Sequence, residues 1–383
     1  MGIGAEVSVA DLEANPDPIL ARMRAEEPVC WVPALDMWLV TRWDDVATLE
    51  AEPDRFSAAT DPSFLARALG QNMLVMDPPG HTRLQSILRP PFQPGGRSGG
   101  FVREELGPLA DGLAQRITGG RFELMATYAQ PLAAGALAVV LGLDEHGFDR
   151  MWAWCEGLCG DVANFENDPE RTEIGRRTKE DLGAAIASRL AETGPEDQSA
   201  IGWFVQHGAT TEEVINNVRL MISGGINEPR DGIGLVVWTL LSRPDLRAKV
   251  DQDPALLRRL IEEVLRIHTP VGTVTRQATT DTELGGASIK AGQLVSGILR
   301  SINLDEQHWS NPTEIDLARS EGPHAAFALG AHRCLGEWLG RQVVKVGVER
   351  MFHAFPDLVL DPDHDVEITG FEFRGPHALH VVR

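Results

Sequence analysis

Residues Phe327 to Gly336 read Phe-Ala-Leu-Gly-Ala-His-Arg-Cys-Leu-Gly and deliver one cysteine to the start of a helix. Gly330 and Gly336 permit backbone conformations that a side chain would forbid, so the loop can turn tightly and lie against a flat ligand. From Glu337 to Phe355, Leu339, Val343, Val346 and Met351 recur at helical spacing, and no proline intervenes before Pro356. Cys334 therefore falls at or just before a helix N-terminus, where unpaired N–H groups and the positive end of the dipole favour a thiolate. Such a sulfur is a nucleophile or a soft metal ligand, with a small buried hydrophobe as the plain alternative.

The spacing Phe-x-x-Gly-x-His-x-Cys-x-Gly resembles the pattern that closes the haem site in cytochromes P450, and Phe327, Gly330, His332, Cys334 and Gly336 fill its fixed positions. The resemblance implies that Cys334 is the axial ligand of a haem b iron, that Phe327 packs near the sulfur and that His332 approaches a haem propionate. Thiolate ligation pushes electron density toward iron and favours O–O cleavage. It also implies a mainly α fold with small β-sheets, a single domain over residues 1–383, with haem between a long kinked distal helix and the cysteine-loop helix.

Composition narrows the alternatives. The 383 residues carry 56 acidic against 35 basic side chains, a net charge of −21, which argues against a nucleic-acid partner. The N-terminus lacks a basic start followed by an apolar run, so neither a signal peptide nor a membrane anchor is expected. The longest uncharged run, Tyr128 to Leu143, contains Pro131 and Gly135 and reads as a buried helix, too short for a membrane span. Four cysteines in this length make no disulfide framework, and a soluble cytoplasmic protein is expected.

Along the chain, Asp11 to Glu27 reads as an opening helix, Val29 to Val40 as two strands turned at Leu35-Asp36, and Trp43 to Ala51 as helix. Phe56 to Met73 has no strong periodicity; the resemblance makes it a lid over the substrate pocket. Met76 to Leu84, with Asp77-Pro78-Pro79-Gly80-His81, resembles the family's turn into a helix crossing the haem edge, which implies that His81 contacts a propionate. The family's arginine four residues later is Gln85 here, and Arg83 or Arg89 are the candidate replacements. Pro94 to Gly100 reads as a glycine-rich loop, Val102 to Ile117 and Phe148 to Leu158 as helices, and Cys155 and Cys159 as packing one turn apart.

Thr210 to Leu241 reads as the longest helix, opened by a capping box of Thr210 and Glu213 and holding Gly224, Gly225 and Pro229 in its middle. It resembles the distal helix of cytochromes P450, where the backbone opens over the iron. The family's acid and threonine, which relay protons to dioxygen, align with Asn227 and Glu228, so the alcohol is missing. Glu228 is the candidate for proton handling, since a carboxyl in an apolar pocket is protonated more readily. The structural alternative is that it caps the distorted helix or pairs with Arg230. Gly225, Asn227 and Glu228 are thus the candidate catalytic positions, and Gly224 a pocket position.

Glu263 and Arg266, three apart on a helix, resemble the family's buried pair that braces the haem core. Arg276 is the expected propionate partner, and Thr282 to Leu294 reads as a hairpin turned at Gly285-Gly286. In the tail, Phe373 is the candidate aromatic wall of the pocket. Glu228-Pro229 with Phe373-Arg374-Gly375-Pro376 resembles the bacterial branch that O-demethylates small methoxylated aromatics.

No dinucleotide, flavin or iron–sulfur segment is legible, so electrons are expected from a separate ferredoxin or flavin/iron–sulfur reductase. Arg333, Arg341, Lys345 and Arg350 against Glu337 and Glu349 suggest a locally basic docking face. The function these readings favour is insertion of one oxygen atom from O2 into a small, aromatic substrate, by hydroxylation or oxidative O-demethylation. The alternatives are a peroxide-driven peroxygenase using Glu228 as acid or base and a non-catalytic haem-thiolate ligand or gas sensor.

Overall fold

The computed structural model describes residues 2–383. Its centre is one helix, Thr211–Ser242, capped as expected: Thr210 Oγ1 accepts from the Glu213 N–H while the Glu213 carboxylate accepts from the Thr210 N–H. The helix is continuous through Gly224, Gly225 and Pro229. Pro229 has no N–H to offer the Gly225 carbonyl four residues back, so one rung is missing where the segment passes over the cysteine loop. Against it pack Gln130–Leu141, Gly147–Val162 and Glu337–Ala354, which share its largest apolar core.

Several boundaries move for identifiable reasons. The opening helix is two, Val9–Ala14 and Asp17–Glu26, because Asn15 before Pro16 turns to φ −155°. The helix expected from Val102 is also two, Arg97–Glu104 and Leu106–Arg116; the ring of Pro108 conflicts with the Glu104 carbonyl, and the chain breaks at Glu105. The supposed glycine loop already contains the start of the first of these. Gly99 sits inside that helix because a Cβ there would lie 1.7 Å from the Pro94 carbonyl oxygen. A further helix, Pro169–Ala191, packs against Gly147–Val162 and carries pairs along its own surface such as Glu173 with Arg176 and Arg177.

A five-stranded sheet runs in the order Val29–Val32, Met37–Val40, Leu294–Ile298, Thr273–Ala278, Phe56–Ser57. The Gly285-Gly286 hairpin is shorter than expected, Thr282–Leu284 with Ala287–Ile289, and Leu294 begins a strand of the larger sheet. The tail forms a hairpin, Ile368–Thr369 with Gly375–Pro376, whose loop bridges Val271 through Phe373.

Behind the cysteine loop, Glu263 and Arg266 form a buried bidentate pair, Nε–Oε1 2.8 Å and Nη2–Oε2 3.0 Å. Arg319 adds a second guanidinium to Glu263 at 2.9 Å, and Arg266 also donates to the carbonyls of Asn303, Pro312 and Glu314. These bonds hold the Glu263 carboxyl below its usual range despite burial. Among the described residues no helix is long and apolar enough to cross a membrane.

Candidate active site

The cysteine loop closes on itself: the Cys334 N–H donates to the Phe327 carbonyl at 3.0 Å, with Ala328 and Gly330 both at φ 58°. Ala328 shows that a side chain can hold that φ, so what calls for glycine at Gly330 is the close approach: a Cβ would come within 2.8 Å of the Glu50 carbonyl oxygen. Gly336 is a correction. Its φ of −90° suits any residue, and a Cβ would sit 3.9 Å from Cys334 Sγ; its contribution is an N–H directed at the sulfur. The sulfur itself also departs from expectation. The surrounding protein raises the Cys334 thiol to about 11, with the Gly336 N–H partly opposing this, although the side chain is exposed to the cavity.

Cys334 opens onto a cavity of about 340 Å³ lying between the loop and the long helix. Phe327 and His332 line the loop side, and Gly224, Gly225 and Glu228 the helix side. The Arg341 guanidinium stacks on the Phe327 ring at 4.1 Å. At Gly225 a Cβ would come within 3.0 Å of Leu137, so backbone and neighbouring helix are in close approach there.

One part of the cavity wall carries Arg276 and His332, with His81 packed behind His332 and outside the lining. The rings of His81 and His332 lie 4.1 Å apart, and His81 Nε2 and His332 Nδ1 are buried without hydrogen-bond partners. Burial, then the Arg276 charge, lowers both, His332 to about 3. Arg276 lines the same part, and its Nη2 donates to Glu50 Oε1 at 2.8 Å. The other Glu50 oxygen accepts from the Leu329 N–H, joining helix, sheet and cysteine loop through one buried carboxylate. Gln85 does not leave a gap to be filled by an arginine: its Nε2 donates to the Ala331 carbonyl at 2.9 Å. Arg83 is turned to Glu213 and Arg89 is exposed, so neither replaces it.

Another part of the wall is acidic. Glu228 Oε2 is buried without a partner, and burial, reinforced by the carboxyls of Asp231 and Glu372, raises its pKa well above the usual range. The pairing considered for it is not made. Arg230 bonds Asp231 Oδ1 at 2.6 Å and lies over Trp152. Asn227 is absent from the cavity wall; its amide donates to Asp231 at 3.3 Å, which removes it from the catalytic positions. Phe373 is likewise off the wall. Its backbone bridges Val271, successive side chains in such a segment face opposite ways, and the neighbour facing the cavity is Glu372. Glu372 accepts from Thr273 Oγ1 at 2.6 Å and is pushed up to about 7 by burial.

Sequence reasoning missed Glu372 and Glu50. Alternation in the tail could have offered Glu372 in place of Phe373. Glu50 sits with Val46 and Leu49 on the buried face of Trp43–Ala51, and a carboxylate on an apolar face was its signal. Cys155 and Cys159 pack as expected, Sγ–Sγ 3.9 Å, both directed at the Ser223 carbonyl. The basic docking face is largely neutralised: Arg333 pairs with Glu337, Arg341 with Glu262 and Glu337, Lys345 with Glu349, Arg350 with Asp111.

A family model for Cytochrome P450 matches residues 247–371. Cytochrome P450 FAS1 of Rhodococcoides fascians is 30% identical over 92% of each chain. The chain belongs to the cytochrome P450 family. Cytochrome P450 monooxygenase PikC of Streptomyces venezuelae is also 30% identical, over 97% of this chain and 92% of the relative. The solved structure of the P450 CYP109B1 from Bacillus subtilis superposes with a TM-score of 0.84 at 25% identity, covering 97% of this chain and all of that one. This P450 is therefore a monooxygenase whose cofactor is haem, acting on a small molecule with electrons from a redox partner. The residues present fit that group: a cysteine sulfur at the cavity floor, and orphaned histidine nitrogens beside an arginine where carboxylates would need donors.

Proposed function

We propose that this P450, as one domain holding one haem, oxidises a small aromatic substrate, by hydroxylation or by O-demethylation of a methoxyarene. Cys334 would supply the axial thiolate, Phe327 would shield it, Gly336 would direct its N–H at the sulfur, and His81, His332 and Arg276 would hold the propionates. Glu263 and Arg266 brace the loop from behind. When bound, haem supplies reductive activation of dioxygen. Gly224 and Gly225 keep the helix backbone bare over the cavity, and Glu228 hands on the protons that the missing threonine would relay.

The observation that carries this reading is the Glu228 carboxyl, buried at the cavity wall with Oε2 unpartnered. Burial without a counter-charge raises its pKa, so it holds a proton more readily than an ordinary glutamate and is suited to donate one. For a methoxyarene, one oxygen atom enters a methyl C–H bond while the other leaves as water, using two electrons from the redox partner and two protons. The resulting hemiacetal breaks to a phenol and formaldehyde. A ferredoxin or a flavin/iron–sulfur reductase is the electron donor we expect.

The test is Glu228→Gln, which keeps shape and hydrogen bonding but cannot transfer the carboxyl proton. With a surrogate ferredoxin system, product formed per NADH should fall by about tenfold or more, with the lost electrons recovered as hydrogen peroxide. Unchanged coupling would refute the proton role. A loss confined to peroxide-driven turnover would instead assign Glu228 to peroxygenase chemistry.

A further inference from the structure

The charged side chains lining the cavity are arranged unequally. Arg276 and Arg333 each have a carboxylate partner, Glu50 and Glu337 respectively. Glu228 and Glu372 have no cationic partner: Glu228 Oε2 has no partner at all, and Glu372, 8% exposed, is bonded through its carboxyl only to the Thr273 hydroxyl. The two acids come from unrelated elements, the long helix and the tail loop, and the Glu372 charge helps to raise Glu228. The groups facing Glu372 from other elements, Thr273, Glu13 and Glu228, include no cation. Around the acids the wall is apolar, with Phe64, Phe165, Met221 and Val271.

Two buried carboxyls without counter-charges in an apolar pocket offer acceptor oxygens that no protein donor fills, and a second carboxylate brought beside them would oppose their ionisation and find no cation of its own. The cofactor does not relieve this, because its own carboxylates belong beside Arg276 and the histidines. We infer that the substrate carries a hydrogen-bond donor, a hydroxyl or a protonated amine, received by Glu372 and Glu228, and that carboxylate-bearing compounds are excluded. The inference rests on the cavity being the substrate site of the monooxygenase, but not on the substrate being aromatic. It names a feature of the substrate that Phe373, as an aromatic wall, would not have required.

The haem-loaded ferric protein is titrated with 4-methoxyphenol, 4-methoxybenzylamine, 4-methoxytoluene and 4-methoxybenzoate, following the haem absorption. The same is done with 4-methylcyclohexanol, 4-methylcyclohexylamine, 1,4-dimethylcyclohexane and 4-methylcyclohexanecarboxylate. In at least one series, the hydroxyl or the ammonium compound should bind about tenfold or more tighter than its methyl analogue, with the carboxylate weakest. Glu372→Gln should cut an ammonium preference by about tenfold and leave most of a hydroxyl preference, which separates the two donors. Glu372→Leu should erase either preference, with circular dichroism and haem content confirming the fold; if that variant loses haem, Glu228→Leu takes its place. A carboxylate that binds as tightly as the donors, a preference that survives the leucine variant, or no binding by any donor compound would overturn the inference. Donor preference in the cyclohexane series alone would sink the aromatic reading while leaving the inference intact.

Discussion

Glu372→Gln should stabilise the protein by an amount that depends on pH. In the fold the Glu372 carboxyl is buried beside the acids Glu13 and Glu228 and is raised from 4.5 to about 7. Below 4.5 both folded and unfolded chains hold the proton, and the residue contributes nothing to pH dependence. Between 4.5 and 7 the unfolded chain releases its proton while the folded chain keeps it, so stability falls as pH rises. Above about 7 the folded carboxyl ionises too, and the accumulated loss, about 3 kcal/mol, levels off. Glutamine has the same shape and no titrating proton, and its amide oxygen can still accept from Thr273. The difference in unfolding free energy between variant and parent should therefore grow by about 3 kcal/mol from pH 4.5 to pH 8. Urea unfolding of the haem-loaded proteins, followed by tryptophan fluorescence at a series of pH values, measures it, since titrating groups remote from Glu372 cancel in the comparison and only Glu13 and Glu228 beside it respond to the change. A difference that stays flat across the window would show that Glu372 is not a buried acid and would remove the basis for an unbalanced acidic wall.

Three further outcomes are expected. Glu263→Ala leaves Arg266 and Arg319 buried without their carboxylate and should cost about 3–5 kcal/mol in denaturant unfolding, with haem content falling in parallel. Gln85→Ala removes the donor to the Ala331 carbonyl and should cost about 1 kcal/mol, read most sensitively as faster haem transfer to an acceptor protein. Arg276→Met strands the Glu50 carboxylate in the interior and should destabilise the fold. Arg276→Met with Glu50→Gln should recover most of that stability but not the haem affinity, and a double variant with full affinity would show that Arg276 serves the fold alone.

How far the sequence discloses this molecule depends on whether local chemistry or distant packing decides each feature. The cysteine loop, the capping box at Thr210 and the two strands turned at Asp36 are local, and their residues carry the signal. Pro169–Ala191 is not local. It buries only Gly175, Leu182, Ala185 and Ile186, an apolar stripe too thin to stand out, and its charge pairs become visible only once the helix is known. Asn227 failed for a geometric reason: one residue along a helix is a rotation of about 100°, so alignment on Gly225 places only one of Asn227 and Glu228 toward the cavity. Phe373 failed by the two-residue period of an extended chain, which exchanged it for Glu372.

The cavity treats charge in opposite ways in two parts of its wall, and this bears on the order of assembly. In the cationic part Arg276 is already balanced by Glu50, so the pocket can form before any propionate arrives; the remaining demand, from the two histidine nitrogens, involves neutral groups. In the acidic part no internal cation balances Glu228 or Glu372, and protonation takes its place. A protonated carboxyl is a neutral, tolerable interior group, whereas an unpaired carboxylate is not. Below about pH 7 the chain can thus fold around an empty substrate site with little buried charge at Glu372. What it retains is a pair of acids whose ionisation a donor-bearing substrate would favour, and a carboxylate substrate would oppose.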